Sequence, residues 1–210
     1  MRFSRVRLLF GDDFDKLVKK RVLVLGVGGV GGVCLESLLR SGLRDVTIVD
    51  FDTFETSNQN RQLGSENIGM VKVEYFKNRY PYIEVLNKKI DDKWCSNFNF
   101  DEYDLVIDAI DDIYAKVALA NSVKGKLISS MGSAKRVDPT KIDIDSIWNT
   151  KIDPFAKKFR YELKKSGFCG DFKVVYSTEN PMCKDLGSFM GVTGSFGFAL
   201  SSLAIRELLS

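Results

Sequence analysis

The chain has no histidine among its 210 residues. That absence removes serine and cysteine nucleophiles activated by an imidazole base, histidine-ligated zinc and the two-histidine iron site from the chemistry open to it. Its four cysteines, Cys34, Cys95, Cys169 and Cys183, never stand in a C-x-x-C pair, which excludes a zinc ribbon and a thioredoxin-type redox site. Neither sign of charge is in excess: 31 basic against 28 acidic residues leave a net +3, so an anionic partner must be met by local charge. Apolar runs are short. The opening MRFSRVRLLFGDD offers only Leu8 to Phe10, too little for a secretory signal, and four unpaired thiols fit a reducing cytoplasm. One stretch differs: Leu186 to Ile205 carries no charge and is long enough on paper to cross a bilayer. Its Gly187, Gly191, Gly194 and Gly197 suit a buried helix packed closely on a sheet equally well.

What is present is a 44% hydrophobic chain, enough to fill one core and too much for disorder. Arg21 to Leu25 is an apolar run ending at Gly26, Val30 to Ser41 has leucines at helical spacing, and Val46 to Val49 closes on Asp50. Strand, glycine turn, helix and strand in about thirty residues form a βαβ unit and hence a parallel sheet. Val71 to Arg79 reads as a helix, Leu105 to Ala109 as a strand, Ile113 to Val123 as a helix and Lys126 to Ser129 as a strand. The expected class is α/β, Rossmann-like, with a mostly parallel sheet and helices on both faces.

After Ser133 the alternation changes. Asp138-Pro139 marks a turn, Ile142, Ile144 and Ile147 suggest a strand, and Asp153-Pro154 opens a helix whose Phe155, Phe159 and Leu163 share one face. The expected organisation is one domain over 1–210: a nucleotide-binding core (1–133), an appended lobe and crossover with a strand at Phe172 to Ser177 (134–185), and a buried C-terminal helix (186–210).

Gly26-Val27-Gly28-Gly29-Val30-Gly31 fits G-x-G-x-x-G between a strand and a helix. Such glycines make a tight turn and let backbone N–H groups and the helix N-terminus approach phosphate oxygens. Asp50 ends the second strand 19 residues after Gly31, where a carboxylate can accept from ribose hydroxyls. To that point an NAD-dependent oxidoreductase and an ATP-binding enzyme are served equally. The next segment separates them, since Asn58-Gln59-Asn60-Arg61-Gln62 and Lys72 bring fixed positive charge that hydride transfer does not need. A triphosphate attacked at its α-phosphorus does need it. Asp108, Asp111 and Asp112 then arrive at the carboxyl edge of the sheet, where a carboxylate near a triphosphate is a natural Mg²⁺ ligand and Asp112 can cap the following helix.

The string DFDTFETSNQNRQ from Asp50, with GVGGVG before it, GMVK ending at Lys72 and DAIDD at Asp108 to Asp112, resembles the ThiF/MoeB superfamily, relatives of ubiquitin-activating enzymes that adenylate a carboxylate with MgATP. The resemblance implies a nucleotide site of Gly26, Gly28, Gly29, Gly31, Asp50, Asp52, Asn58, Arg61, Gln62, Lys72 and Asp111. Asp50 would meet the ribose, Asn58, Arg61 and Lys72 the triphosphate, and Asp111 the magnesium. Arg2-Phe3-Ser4-Arg5 looks like the family's N-terminal motif that reaches a partner's ATP, implying a homodimer with Arg5 acting in trans and Arg7 as its competitor.

Members that activate a ubiquitin-like sulfur-carrier protein usually hold zinc in two C-x-x-C pairs, absent here, and often a nucleophilic crossover cysteine, for which Cys169 or Cys183 could stand in. The C-terminal half instead resembles the tRNA threonylcarbamoyladenosine dehydratase branch (TcdA/CsdL), through Val137-Asp138-Pro139-Thr140, Asp153-Pro154 before a basic helix, Tyr176-Ser177-Thr178-Glu179 and the Gly194 to Phe198 stretch, which with Thr193 before it reads TGSFGF. That implies adenylation of the threonyl carboxylate beside the anticodon and ring closure by the neighbouring carbamoyl group with loss of AMP. The alternative is an adenylyltransferase for the C-terminal glycine of a sulfur-carrier protein. A sulfur-trafficking partner is sometimes associated with the branch, and the chain looks short for it around the crossover. Residues 151 to 173 hold seven basic residues (Lys151, Lys157, Lys158, Arg160, Lys164, Lys165, Lys173) and three acidic ones (Asp153, Glu162, Asp171), a local +4 suited to tRNA phosphates. Lys157, Lys158, Arg160, Lys164 and Lys165 are the expected contacts, with Phe168, Phe172 or Tyr176 available for base stacking. Without histidine, a general base must be a carboxylate, substrate phosphate or water, with Asp108 and Asp112 nearest in sequence.

Overall fold

A computed structural model describes residues 2–210. Two short helices, α1 (Ser4–Phe10) and α2 (Asp13–Leu17), precede strand β1 (Arg21–Leu25), helix α3 (Gly29–Arg40) and strand β2 (Asp45–Val49). Helix α4 (Lys72–Arg79) leads to β3 (Glu84–Leu86), then α5 (Asp92–Asn97), β4 (Leu105–Asp108), α6 (Ile113–Ser122) and β5 (Leu127–Ser130). The last third supplies β6 (Ile142–Ser146), α7 (Pro154–Lys165), β7 (Lys173–Ser177) and α8 (Met190–Leu209).

The strands form one seven-stranded sheet in the order β3-β2-β1-β4-β5-β7-β6, parallel throughout except that β6 runs antiparallel to β7. The segment expected as an appended lobe thus adds β7 and β6 to the edge of the same sheet. One core lies against α3, α4 and α8, with Val24, Ile48, Leu35, Phe76 and Phe196 in it. The other lies against α5, α6 and α7 and holds Leu23, Val106, Leu119, Phe159 and Leu163. Strands buried on both faces read as continuous apolar runs, which is why the central ones were visible in the sequence. The three-residue β3 and the helices α1, α2 and α5 are too short or too polar to leave such a signal.

The uncharged C-terminal run becomes α8, packed against α3. It begins at Met190, so residues 186–189 belong to the preceding loop. Among the described residues no helix is long and apolar enough to cross a membrane. Gly197 is the contact point: a Cβ there would lie 2.6 Å from the Val30 carbonyl oxygen and 3.0 Å from the Cys34 nitrogen. The small residues therefore serve close helix packing.

β1 lies between β2 and β4, with the chain leaving to opposite sides. The carboxyl ends of β1 and β4 consequently frame the crevice in which such sheets bind ligands.

Candidate functional site

The floor of that crevice is made by three backbones in contact. Gly26 follows β1 at φ +81°, a conformation glycine adopts freely. A Cβ on Gly26 would stand 2.9 Å from the Ala109 carbonyl oxygen, and one on Gly31 would fall 1.9 Å from the Gly26 carbonyl oxygen and 3.1 Å from Ala109 Cβ. Glycine is thus the fit for the close meeting of the β1 turn, the start of α3 and the end of β4. Gly28 is the N-cap of α3 and no side chain caps that end, so the first-turn N–H groups and the positive end of the helix face the crevice.

Asp50 closes one wall. Its carboxylate accepts from the Val27 N–H at 2.8 Å and from the Asp52 N–H at 2.9 Å, tying the end of β2 to the glycine loop. Burial pushes its acidity weaker than that of an ordinary aspartate, against the opposing pull of those N–H groups and Lys72. On acidification Asp50 therefore loses its charged, accepting form at a higher pH than an exposed aspartate would. Adenosine, which carries no phosphate to titrate, is expected to bind more weakly as pH falls toward the carboxylate range, and Asp50→Asn is expected to flatten that dependence. Calorimetric titration of adenosine against pH checks it; a flat profile in the unsubstituted protein would contradict it.

Next to Asp50, Lys72 Nζ donates to Asp52 Oδ2 at 2.9 Å from a buried stem. Lys72, Asp52 and Asn58 line a cavity of about 320 Å³ with Phe51, Thr53 and Glu55. Asn58 is buried and accepts from the Glu55 N–H, which shapes the turn leading to Arg61. Arg61 and Gln62 fold over the glycine loop. A Cβ on Gly29 would lie 3.3 Å from the Arg61 carbonyl oxygen, and one on Gly28 would lie 3.7 Å from Gln62 Nε2. The Arg61 guanidinium donates to the Ser57 carbonyl and to Asn60 Oδ1, so it is held in place before any ligand arrives. Gln62 Oε1 is buried without a hydrogen-bond partner, a polar atom left over beside the loop.

The carboxylates after β4 separate into three roles. Asp108 is not available as a base. It is fully buried, ion-paired to Lys116 Nζ at 2.8 Å, bonded to Ser129 Oγ at 2.6 Å, and accepts from the Ile110 N–H. Burial pushes the Lys116 pKa down while Asp108 pulls it up, and neutralising Asp108 would leave a buried cation alone at a cost of about 3–5 kcal/mol. Asp112 caps α6 by accepting from the Ala115 N–H at 2.8 Å, which is the structural alternative expected for it. Asp111 lies exposed between them and makes no hydrogen bond or ion pair among the described residues. No cluster of three metal-ligating side chains occurs among those residues. That fits Mg²⁺, which is commonly held by one or two carboxylates together with substrate phosphates and water.

Residues the sequence reading did not single out also meet here. Asn60 Nδ2 donates to the Ser188 carbonyl at 2.9 Å, fastening the loop before α8 over the site. Thr193, buried, puts its methyl 2.5 Å from where a Gly29 Cβ would lie and shares a hydrogen bond with Ser133. Only the complementary shapes of Gly29 and Thr193 mark them, a relation between residues 164 positions apart that no local pattern carries.

The ThiF family model matches residues 3–207. The chain belongs to the ThiF family. It is 38% identical to the tRNA threonylcarbamoyladenosine dehydratase of Bacillus subtilis strain 168, over 86% of this chain and 76% of that protein. It is 28% identical to the enzyme of the same name from Escherichia coli K12, over 100% of this chain and 94% of that one. A solved structure of the E. coli protein, TcdA, in complex with ATP superposes with a TM-score of 0.92 at 29% identity, covering 99% of this chain and 93% of that one.

Outside the crevice, this ThiF-family chain departs from several expectations. Phe172 and Tyr176 are core residues and cannot stack on a base; Tyr176 donates from its hydroxyl to Asp143, and Phe168 is partly buried against Trp148. Arg160 donates back to Thr150 Oγ1 and leaves the basic face of α7, while Lys173 is paired with Glu207. Lys157, Lys158, Lys164 and Lys165 are exposed. Cys169 and Cys183 are exposed thiols donating to the Gly167 and Asp185 carbonyls, with no base bonded to either. In α1, Arg7 is bound through two hydrogen bonds to Asp15, whereas Arg5 is exposed with no such partner among the described residues.

Proposed function

We propose that the protein is an ATP-dependent tRNA threonylcarbamoyladenosine dehydratase. The observation that carries this reading is the built crevice itself: an uncapped helix N-terminus, a preset Arg61, a buried Lys72 paired with the exposed Asp52 and a free Asp111, in a chain that superposes on an ATP-bound relative bearing that name.

In this reading the adenosine is held against Asp50 and the cavity beside Phe51, with Asn58 and Gln62 supplying polar contacts. The orphaned Gln62 oxygen and the glycine floor fit a nucleotide, since a side chain at Gly29 or Gly31 would collide with Thr193 or the Gly26 carbonyl and force apart the loop whose N–H groups would meet the phosphates. The substrate's threonyl carboxylate attacks the α-phosphorus, pyrophosphate leaves, and an acyl-adenylate forms. The carbamoyl group next to it then attacks the acyl carbon, closing the ring and expelling AMP. The nucleophile is tethered, so proximity supplies much of the rate and neither a histidine nor a thiol is needed. The charge that builds on the phosphate oxygens is met by the α3 N–H groups, Arg61 and Lys72. Asp111 would hold Mg²⁺, whose part is to neutralise phosphate charge through the displacement. The proton released at closure goes to substrate phosphate or water, because Asp108 and Asp112 are both committed elsewhere.

Phosphates of the tRNA would lie on Lys157, Lys158, Lys164 and Lys165 of α7. The setting is the cytoplasm, and a sulfur-trafficking partner is not required by the chemistry. The alternative, activation of a sulfur-carrier protein, is disfavoured by the two exposed thiols having no activating base.

The functional unit in this reading is a homodimer in which Arg5 reaches the partner's ATP. α1 supports it: no residue of this helix is buried, and Leu8 and Leu9 are 85% and 76% exposed. Mixing an Arg5→Ala variant with an Asp111→Asn variant is expected to restore about a quarter of the unsubstituted rate, since half of randomly assorted dimers then contain one intact site of two. Equal-ratio subunit exchange followed by AMP release measures it; no recovery over the separate variants would contradict action in trans.

A further inference from the structure

α7 presents its charge around an aromatic centre. At 100° per residue, Phe155, Ala156, Phe159 and Leu163 form the inward arc, and Tyr161 sits diametrically opposite it. Lys157, Lys164, Lys165 and Lys158 flank Tyr161 on that outer arc. The ring is 65% exposed and its hydroxyl makes no hydrogen bond among the described residues. None of the four lysines is paired with a carboxylate among those residues, although Lys16, Lys20 and Lys173 elsewhere on the surface are. A large aromatic at the most solvent-facing position of a helix contributes little to folding, and the four like charges around it repel one another with no carboxylate to offset them, Lys164 alone having a partner in the Trp148 ring 5.8 Å away. Both features gain a purpose if a polyanion with exposed planar bases covers the face.

The helix also has a direction. Its first turn lies beside Gly132, just past the carboxyl end of β5, where a Cβ on Gly132 would be 3.4 Å from Phe155 Cβ. Its last turn lies at the opposite edge of the sheet, where Asn121 at the end of α6 donates to Ser166 Oγ at 3.1 Å. The helix is about 18 Å long at about 1.5 Å per residue, and the lysine row from Lys157 to Lys165 covers about 12 Å of it, leading away from the nucleotide edge.

We infer that Tyr161 is a base-stacking platform for an unpaired nucleotide of the tRNA, with the strand's phosphates running along Lys157, Lys158, Lys164 and Lys165 from the ATP crevice toward the far edge of the sheet. This rests on the dehydratase reading and adds to it the residue that recognises a base. Stacking and phosphate contacts differ in their response to salt, and that separates the two roles. Binding of threonylcarbamoyladenosine-bearing tRNA is measured by filter retention over a salt series. Tyr161→Ala is expected to weaken it about 5- to 150-fold with the salt slope unchanged, and Tyr161→Phe to bind as the unsubstituted protein does. Lys157→Gln and Lys164→Gln are each expected to lower the slope of log K against log salt by about 0.7–0.9. ATP affinity, unchanged in every variant, verifies the fold. Unaltered tRNA binding by Tyr161→Ala, or an unaltered slope in both lysine variants, overturns the assignment while leaving the dehydratase reading intact if the unsubstituted protein still forms the cyclic nucleoside. Failure of the unsubstituted protein to bind the tRNA or form that product overturns both.

Discussion

Asp111→Asn is expected to lower turnover by about 10²–10³-fold while leaving the fold and adenosine binding intact. The size follows from the site's composition. Of the three carboxylates at the end of β4 and just beyond it, only Asp111 is free to face a ligand, because Asp108 neutralises Lys116 and Asp112 caps α6. With no metal-ligating cluster of three side chains among the described residues, the proposed cation would depend on this one carboxylate and on the phosphates themselves. Asparagine keeps an oxygen in place and removes the charge, so the Mg²⁺ concentration giving half-maximal turnover is expected to rise about tenfold or more. Steady-state AMP release across a magnesium series tests both parts. An intact rate, or a loss of rate with unchanged magnesium dependence, would remove Asp111 from the role.

Gly31→Ala is expected to abolish nucleotide binding at working concentrations. The added methyl would lie 1.9 Å from the Gly26 carbonyl oxygen and 2.9 Å from its carbon, and neither is the end of a flexible side chain. Relief requires α3 to move away from the β1 turn, which withdraws the N–H groups meant for phosphate. Losing two charge-assisted bonds at about 1.5–3 kcal/mol each corresponds to a fall in ATP affinity of about 100-fold or more. The same displacement disturbs the contact of α3 with α8 at Gly197, so a drop of several degrees in Tm is expected with it. Calorimetric ATP titration and thermal unfolding of the variant check the two effects; ATP binding within a few-fold of the original would show that the close approach is not needed.

The core βαβ arrangement was legible in the sequence because strands buried on both faces and a glycine turn leave contiguous signals at Arg21 to Leu25 and Gly26 to Gly31. The candidate site was legible where its chemistry is local, as in the segment from Asp50 to Gln62 with Lys72, which the structure brings to one crevice. What the sequence could not convey was how charged residues are shared out in space. Asp108 and Asp111 look equivalent along the chain, and only the arrival of Lys116 from one turn into α6 makes one structural and the other free. Arg160 likewise reads as one more cation on a basic helix until Thr150 draws it back, and Phe172 and Tyr176 read as candidate stackers until the entry to β7 and the strand itself turn them into the core. Conversely, Tyr161 is inconspicuous among the lysines of the sequence because its exposure depends on which arc of α7 is buried.

The most direct measurement is nucleoside mass analysis after incubating the purified protein with ATP, Mg²⁺ and tRNA bearing threonylcarbamoyladenosine. The account predicts a nucleoside lighter by one water, formed with stoichiometric AMP and pyrophosphate and lost when ATP is withheld. An unchanged nucleoside, with AMP formed only when a small protein ending in Gly-Gly is supplied, would contradict it.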